Sequence, residues 1–125
     1  MRAMSTIKSV QESFPLVPRS VAGRAVLGKF FRAISDPNRL ALLEFLVGEE
    51  HTGNECVAVL GLAQSRVSSH LQCLVNCGFI TVRREGHFAY YRVDDPRVVD
   101  LVRLGVGIAA DHAEAVAACT RLDAI

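Results

Sequence analysis

Two cysteines four residues apart, Cys73 and Cys77, have the spacing best suited to chemistry in this 125-residue chain. On a helix, side chains at i and i+4 share one face, a turn apart. Thiolates are soft donors and select soft ions over magnesium or manganese. Val67, Leu71 and Leu74 mark the core stripe of the same segment. The thiols lie roughly a quarter-turn off that stripe. Arg66, His70, Cys73 and Cys77 thus form one ridge, with polar readers at its start and thiols at its end. Two thiolates make an incomplete site for most soft metals, and the pair also reads as two small, half-buried residues at a helix end. Cys119 lies beyond the last apolar turn, as a further ligand or a surface thiol. Cys56, beside Val57 and Leu60, reads as core packing, and Asp111, His112 and Glu114 as a solvated face.

A second group of residues suits DNA. Gln64, Ser65, Arg66, Ser68, Ser69 and His70 occupy the first two turns of the cysteine-bearing segment, away from its apolar stripe. Gln can pair with adenine, Arg with guanine, and Ser with bases or phosphates. Downstream, Arg83, Arg84, His87 and Arg92 give a local positive tip. A solvated β-turn would carry such charges too.

The elements that must position these residues follow from periodicity. Residues 1–20 read as a flexible N-terminal arm. Val26, Leu27, Phe30, Phe31 and Ile34 recur at helical spacing. Asp36 and Pro37 are an N-cap and first-turn proline for a second helix running to Gly48. Thr52 opens a short third helix closed by Gly61, and a fourth runs from about Gln64 to Asn76 before Gly78. Two short helices around a tight turn outline a helix-turn-helix. Phe79–Arg84 and His87–Val93 are β-rich runs joined by Glu85-Gly86, a hairpin signal. Asp95 and Pro96 start a last long helix whose apolar arc, from Val98 to Ile108, is too wide for a small monomer's surface. A second copy of the chain is the simplest partner. The expected class is mainly α with a β-hairpin: a winged helix-turn-helix over residues 21–94, and a dimerisation helix and tail over 95–125.

Bulk properties bound the alternatives. Half the residues are hydrophobic and 22% charged, which excludes a disordered chain. The net charge of +1 requires any DNA-binding surface to be a local patch. The cations are 12 Arg and two Lys, a bias that phosphate contact or a GC-rich genome would equally produce. The first twenty residues lack a signal-peptide core, and no apolar run reaches membrane-spanning length. The expected location is cytoplasmic, where four cysteines stay reduced rather than paired.

The stretches FRAISDPNRLALLEFL, LGLAQSRVSSHLQCLVNCGFI and REGHFAYYRV, in that order, resemble the ArsR/SmtB metalloregulatory repressors over roughly residues 24 to 110. The resemblance implies a homodimer joined through its first and last helices, binding double-stranded operator DNA. A cadmium- and lead-sensing branch carries a Cys-x3-Cys pair in the reading helix, completed by a C-terminal Cys of the other subunit. On that pattern Cys73, Cys77 and Cys119 are the metal ligands, and Cd(II), Pb(II) or Hg(II) is the inducer. Some mercury regulators belong to the same family. The pattern is departed from at His87, where Arg often follows the turn glycine. The arsenic-type and zinc-type sites are absent: Asn54 and Val57 stand where thiols belong, and Val102 where a His should follow Asp100. The implied function is a metal-released repressor and not an enzyme. The rivals are a redox-sensing repressor of the same fold, a DNA-bound factor without metal sensing, and a thiol enzyme or metal carrier. Against the last, no base stands beside Cys119 and no Cys-x2-Cys or Gly-rich phosphate loop occurs.

Overall fold

The structure, a computed structural model, describes residues 20–123. The expected N-terminal arm lies outside the described residues except for Ser20, whose hydroxyl caps helix α1 (Val21–Ala33) by accepting from Gly23 N–H at 2.8 Å. Helix α2 (Pro37–Leu46) starts as its sequence dictates. Asp36 accepts from the Asn38 and Arg39 N–H groups, and Pro37 fills a position that needs no donor. Strand β1 (His51–Thr52) runs into helix α3 (Gly53–Leu60), where Thr52 and Glu55 form a reciprocal capping box. Gly61 takes a left-handed φ of 66° and turns the chain into helix α4 (Gln64–Asn76).

The end of α4 fixes the position of the second cysteine. Gly78 has φ 84°, the Gly78 N–H donates to Val75 O at 3.1 Å, and Phe79 N–H donates to Leu74 O at 2.9 Å. This is a complete Schellman closure, with Leu74 and Phe79 supplying its apolar contact in the core. Cys77 is therefore the C-cap residue of α4, one position beyond its last helical residue, rather than inside the helix.

Strands β2 (Thr81–Glu85) and β3 (Phe88–Arg92) form the wing, paired from Thr81 opposite Arg92 to Glu85 opposite Phe88. Two details differ from the sequence expectation. The turn is Gly86-His87, because Glu85 still pairs with Phe88 and Gly86 takes the positive φ of 59° at the first turn position. The wing is also three-stranded: β1 adds to β3 through His51–Tyr91 and Thr52–Tyr90, giving the antiparallel order β1–β3–β2.

Asp95 caps helix α5 (Pro96–Asp111), which breaks at His112 and continues as α6 (Ala113–Ala117) and α7 (Thr120–Asp123). The core gathers Leu42, Leu43 and Leu46 of α2, Val67, Leu71 and Leu74 of α4, and Phe79, Ile80, Val93 and Val98. Cys56 is fully buried among them, and burial, with the nearby Glu55 charge, pushes its thiol up to about 11. It is an inert packing residue at neutral pH. Along α5, by contrast, Leu104, Val106 and Ile108 are each more than 60% exposed in a single protomer. Among the described residues no helix is long and apolar enough to cross a membrane.

Candidate metal centre and nucleic-acid interface

The core stripe of α4 orients everything else on it. With Val67, Leu71 and Leu74 buried, Gln64, Ser65, Arg66, Ser68 and Ser69 point to solvent. No side chain caps the α4 N-terminus. Ser69 donates to Ser65 O at 3.0 Å, which leaves its oxygen as an acceptor toward solvent. Arg66 makes no ion pair among the described residues.

His70, expected in the same exposed set, is placed differently. It is half-buried, its Nδ1 lies 3.2 Å from Arg39 Nη1 of α2, and its Nε2 is buried without a partner among the described residues. Helical angle alone put it off the core stripe. A side chain from another helix covers it.

The wing's cations divide in the same way. Arg83 is held by Glu50 at 2.7 Å, by Glu85, and by the Tyr90 ring 4.4 Å from its guanidinium carbon. The Arg83 bond pulls the Glu50 carboxyl below its usual range despite a small opposing cost of desolvation. Arg84 and His87 are exposed, and Arg84 makes no ion pair among the described residues. Arg92 lies 3.5 Å from Asp94. Arg83 is thus a brace between the wing and the β1 approach, whereas Arg84 stays exposed with no ion pair among the described residues. Arg84→Ala should lower the slope of log affinity against log salt by about one, while Arg83→Ala should change it by much less. Operator titrations at three or more salt concentrations check this.

At the other end of α4 the two thiols meet. Cys73 and Cys77 are both half-buried against the edge of the core. Burial raises the Cys77 pKa first, and the neighbouring Cys73, through its charge and a hydrogen bond between the two side chains, raises it further. Lys29 of α1 and Arg39 of α2 act against this rise. The pair therefore lies within electrostatic reach of cations on α1 and α2. Two adjacent sulfur donors suit a soft ion, but among the described residues no three His, Cys, Asp or Glu side chains gather within one protomer. Cys119 is half-buried between α6 and α7, its N–H bonded to Val116 O, and the chain's own fold does not bring it into a three-donor cluster.

The helix-turn-helix segment, residues 36–82, matches the family model for bacterial regulatory proteins of the arsR family. The chain is 52% identical over 94 residues to a "Probable mercury resistance operon repressor" of Streptomyces lividans, covering 75% of each chain. The chain belongs to the ArsR family. It is accordingly a DNA-binding transcriptional regulator and not an enzyme. This ArsR-family chain is also 31% identical over 92 residues to the regulator CmtR of Mycobacterium tuberculosis, covering 70% of this chain and 78% of that one. Among solved structures it resembles the homodimeric winged helix-turn-helix domain of a possible ArsR-family regulator from Mycobacterium bovis. There the TM-score is 0.66 at 29% identity, over 75% of this chain and 86% of the other. The winged helix-turn-helix expected from the sequence is the fold observed.

Proposed function

We propose that the protein is a homodimeric repressor of a heavy-metal resistance operon, bound to its operator without metal and released by a thiophilic ion. The observation that carries this is the pair of half-buried thiols, Cys73 and Cys77, four residues apart at the C-terminal end of the helix whose first turns face solvent. The mercury-resistance assignment of the Streptomyces relative points the same way. Hg(II), Cd(II) and Pb(II) all suit such donors.

Dimerisation supplies what one protomer lacks. The exposed apolar face of α5 continues into a groove of about 340 Å³ between α1 and α5, lined by Phe31, Ile34, Leu101, Val102 and Val106. A second copy burying this surface places two reading helices about 34 Å apart, one DNA turn, against an inverted repeat. Gln64, Ser65, Arg66, Ser68 and Ser69 then face the major groove, with Arg84 and His87 on the flanking backbone. The ligands are Cys73 and Cys77 of one protomer with Cys119 of the partner subunit. A soft ion held there would supply a thiolate-ligated tie between the reading helix and the opposite tail. Cys73 and Cys77 hold one end of that tie, and the exposed face of α4 is thereby drawn out of register with the groove. Emptying a nearly saturated operator requires differential binding of about 5 kcal/mol, within reach of a trithiolate site.

Because ligation needs thiolate and Cys77 is held protonated, each ion captured displaces protons. Apparent affinity for cadmium should therefore rise with pH between 6 and 8, by about tenfold per unit for each proton displaced. Competition against a chelator of known pH behaviour measures this. The proposal itself is tested by sulfur-to-metal charge-transfer absorption during anaerobic titration with mercury and then cadmium. Saturation at one ion per protomer, lost in Cys73→Ser and in Cys119→Ser, supports it. Saturation unchanged in Cys119→Ser removes the third ligand. The second reading is a redox switch, in which oxidation would have to unwind the helix end or pair other cysteines, because a Cys73–Cys77 disulfide within one helix is strained. Operator release by peroxide together with indifference to both ions would decide for that.

A further inference from the structure

Helix α4 is tied to α1 through one side chain of α2. Arg39 Nε donates to Ala33 O, a carbonyl left open at the C-terminal end of α1, and Nη2 donates at 3.2 Å to Arg32 O, which also accepts from Ser35. The remaining arm, Nη1, reaches His70 Nδ1 at 3.2 Å. A guanidinium can only donate, so Nδ1 is the acceptor and the neutral ring carries its proton on Nε2. That Nε2 is buried with no partner among the described residues. Leaving a buried N–H unsatisfied is a cost, and it marks a ring held in place for what its other nitrogen does. Asp36 adds to the joint. Burial opposes ionisation of its carboxyl, but the Asn38 and Arg39 N–H groups and the Arg39 charge outweigh this and hold its pKa down.

The joint stands between the two functional ends of α4. His70 is one turn from the exposed Arg66 and one turn from Cys73, while Arg39 and Lys29 are the cations that act on Cys77. Reading end, joint and thiols follow one another along α4, with Arg39 of α2 bonded to the joint between them.

We propose that the Arg39–His70 contact is the joint through which the thiol pair sets the orientation of the reading helix, with His70 a positioning residue rather than a base reader. The proposal rests on the metal response proposed above. With the thiols protonated, Arg39 locks α4 against the end of α1 and fixes the face carrying Ser65, Arg66 and Ser69. When Cys73 and Cys77 are drawn toward the opposite tail, the strain falls on the turn of α4 that His70 anchors. α4 then turns on its Val67, Leu71 and Leu74 stripe at the expense of the Arg39 bond.

Three full-length proteins test this: wild type, His70→Leu, which removes the acceptor, and His70→Asn, whose Oδ1 stands in for Nδ1. Operator anisotropy is read without metal and with saturating cadmium, and the imidazole nitrogens are read by NMR on histidine-labelled wild type. His70→Leu should still bind the operator without metal, but its cadmium-induced loss of affinity should shrink by about tenfold, and His70→Asn should restore it. The spectrum should show an unprotonated Nδ1 that shifts when cadmium is added. Arg39→Lys, which cannot reach all three acceptors at once, should shrink the cadmium effect in the same direction and guards against poor folding of His70→Leu. Equal loss of metal-free affinity in both His70 variants, with the cadmium ratio unchanged, would make His70 a base reader and overturn the proposal. So would an unaltered ratio in His70→Leu. If wild-type operator binding ignores both cadmium and mercury, the metal reading fails instead, and a ring protonated at Nδ1 would then sink the joint independently.

Discussion

Serine in place of Cys73 is expected to leave operator binding within about threefold of the wild-type value, as a half-buried substitution of similar size should. Its release by cadmium and mercury is expected to disappear. Cys73 packs at the edge of the core rather than inside it, and serine keeps its shape. What serine removes is a soft donor. One protomer brings only two thiols together, so the change halves its contribution to the site. The ratio of operator affinities without and with metal should fall from about four orders of magnitude to near one. Anisotropy titrations of both proteins in the same buffer measure it. Normal metal release of Cys73→Ser would dissociate the thiols from the switch.

Phe79→Ala should cost about 3–5 kcal/mol, a large part of the stability of a domain this size. Phe79 is 1% exposed and stacks on Phe30 of α1 with ring centroids 4.5 Å apart. Its N–H closes the α4 C-cap on Leu74. Truncation leaves a cavity at the seam where α1 meets the end of α4, beside the residue that positions Cys77. Urea unfolding at fixed protein concentration should show a lower midpoint with an unchanged slope. The metal affinity of the still-folded fraction should weaken as well. A loss below about 1 kcal/mol would show that the ring is not the wedge its burial implies.

The fold was legible where its determinants are local. Asp36-Pro37, Thr52, Gly61 and Gly78 each act on backbone groups within a few residues, and each does in the structure what its type and position imply. The Val67, Leu71 and Leu74 stripe oriented α4 because helical period is also a local property. Pairings across the chain were not legible. Strand β1 is two residues long and is followed at once by the helix its Thr52 caps, so no alternation announces it. The turn slipped by one residue because Glu85-Gly86 and Gly86-His87 are both acceptable hairpin loops, and cross-strand register decides between them. Arg83 finds Glu50 across 33 residues and Arg39 finds His70 across 31, with no period linking either pair. Those two contacts give Arg83 and His70 protein partners, unlike the other residues proposed to face DNA. For the site, the Cys73–Cys77 spacing carried the signal, while Cys119 lies where sequence separation says nothing about distance.

The most direct measurement is fluorescence anisotropy of the protein's own labelled promoter DNA, titrated anaerobically with mercury and separately with cadmium. The expected result is tight binding without metal and its loss at about one ion per protomer, in the stoichiometric range of a thiolate site. Tight binding indifferent to both ions would leave the winged helix-turn-helix standing as a DNA-binding regulator and contradict the role assigned to Cys73, Cys77 and Cys119.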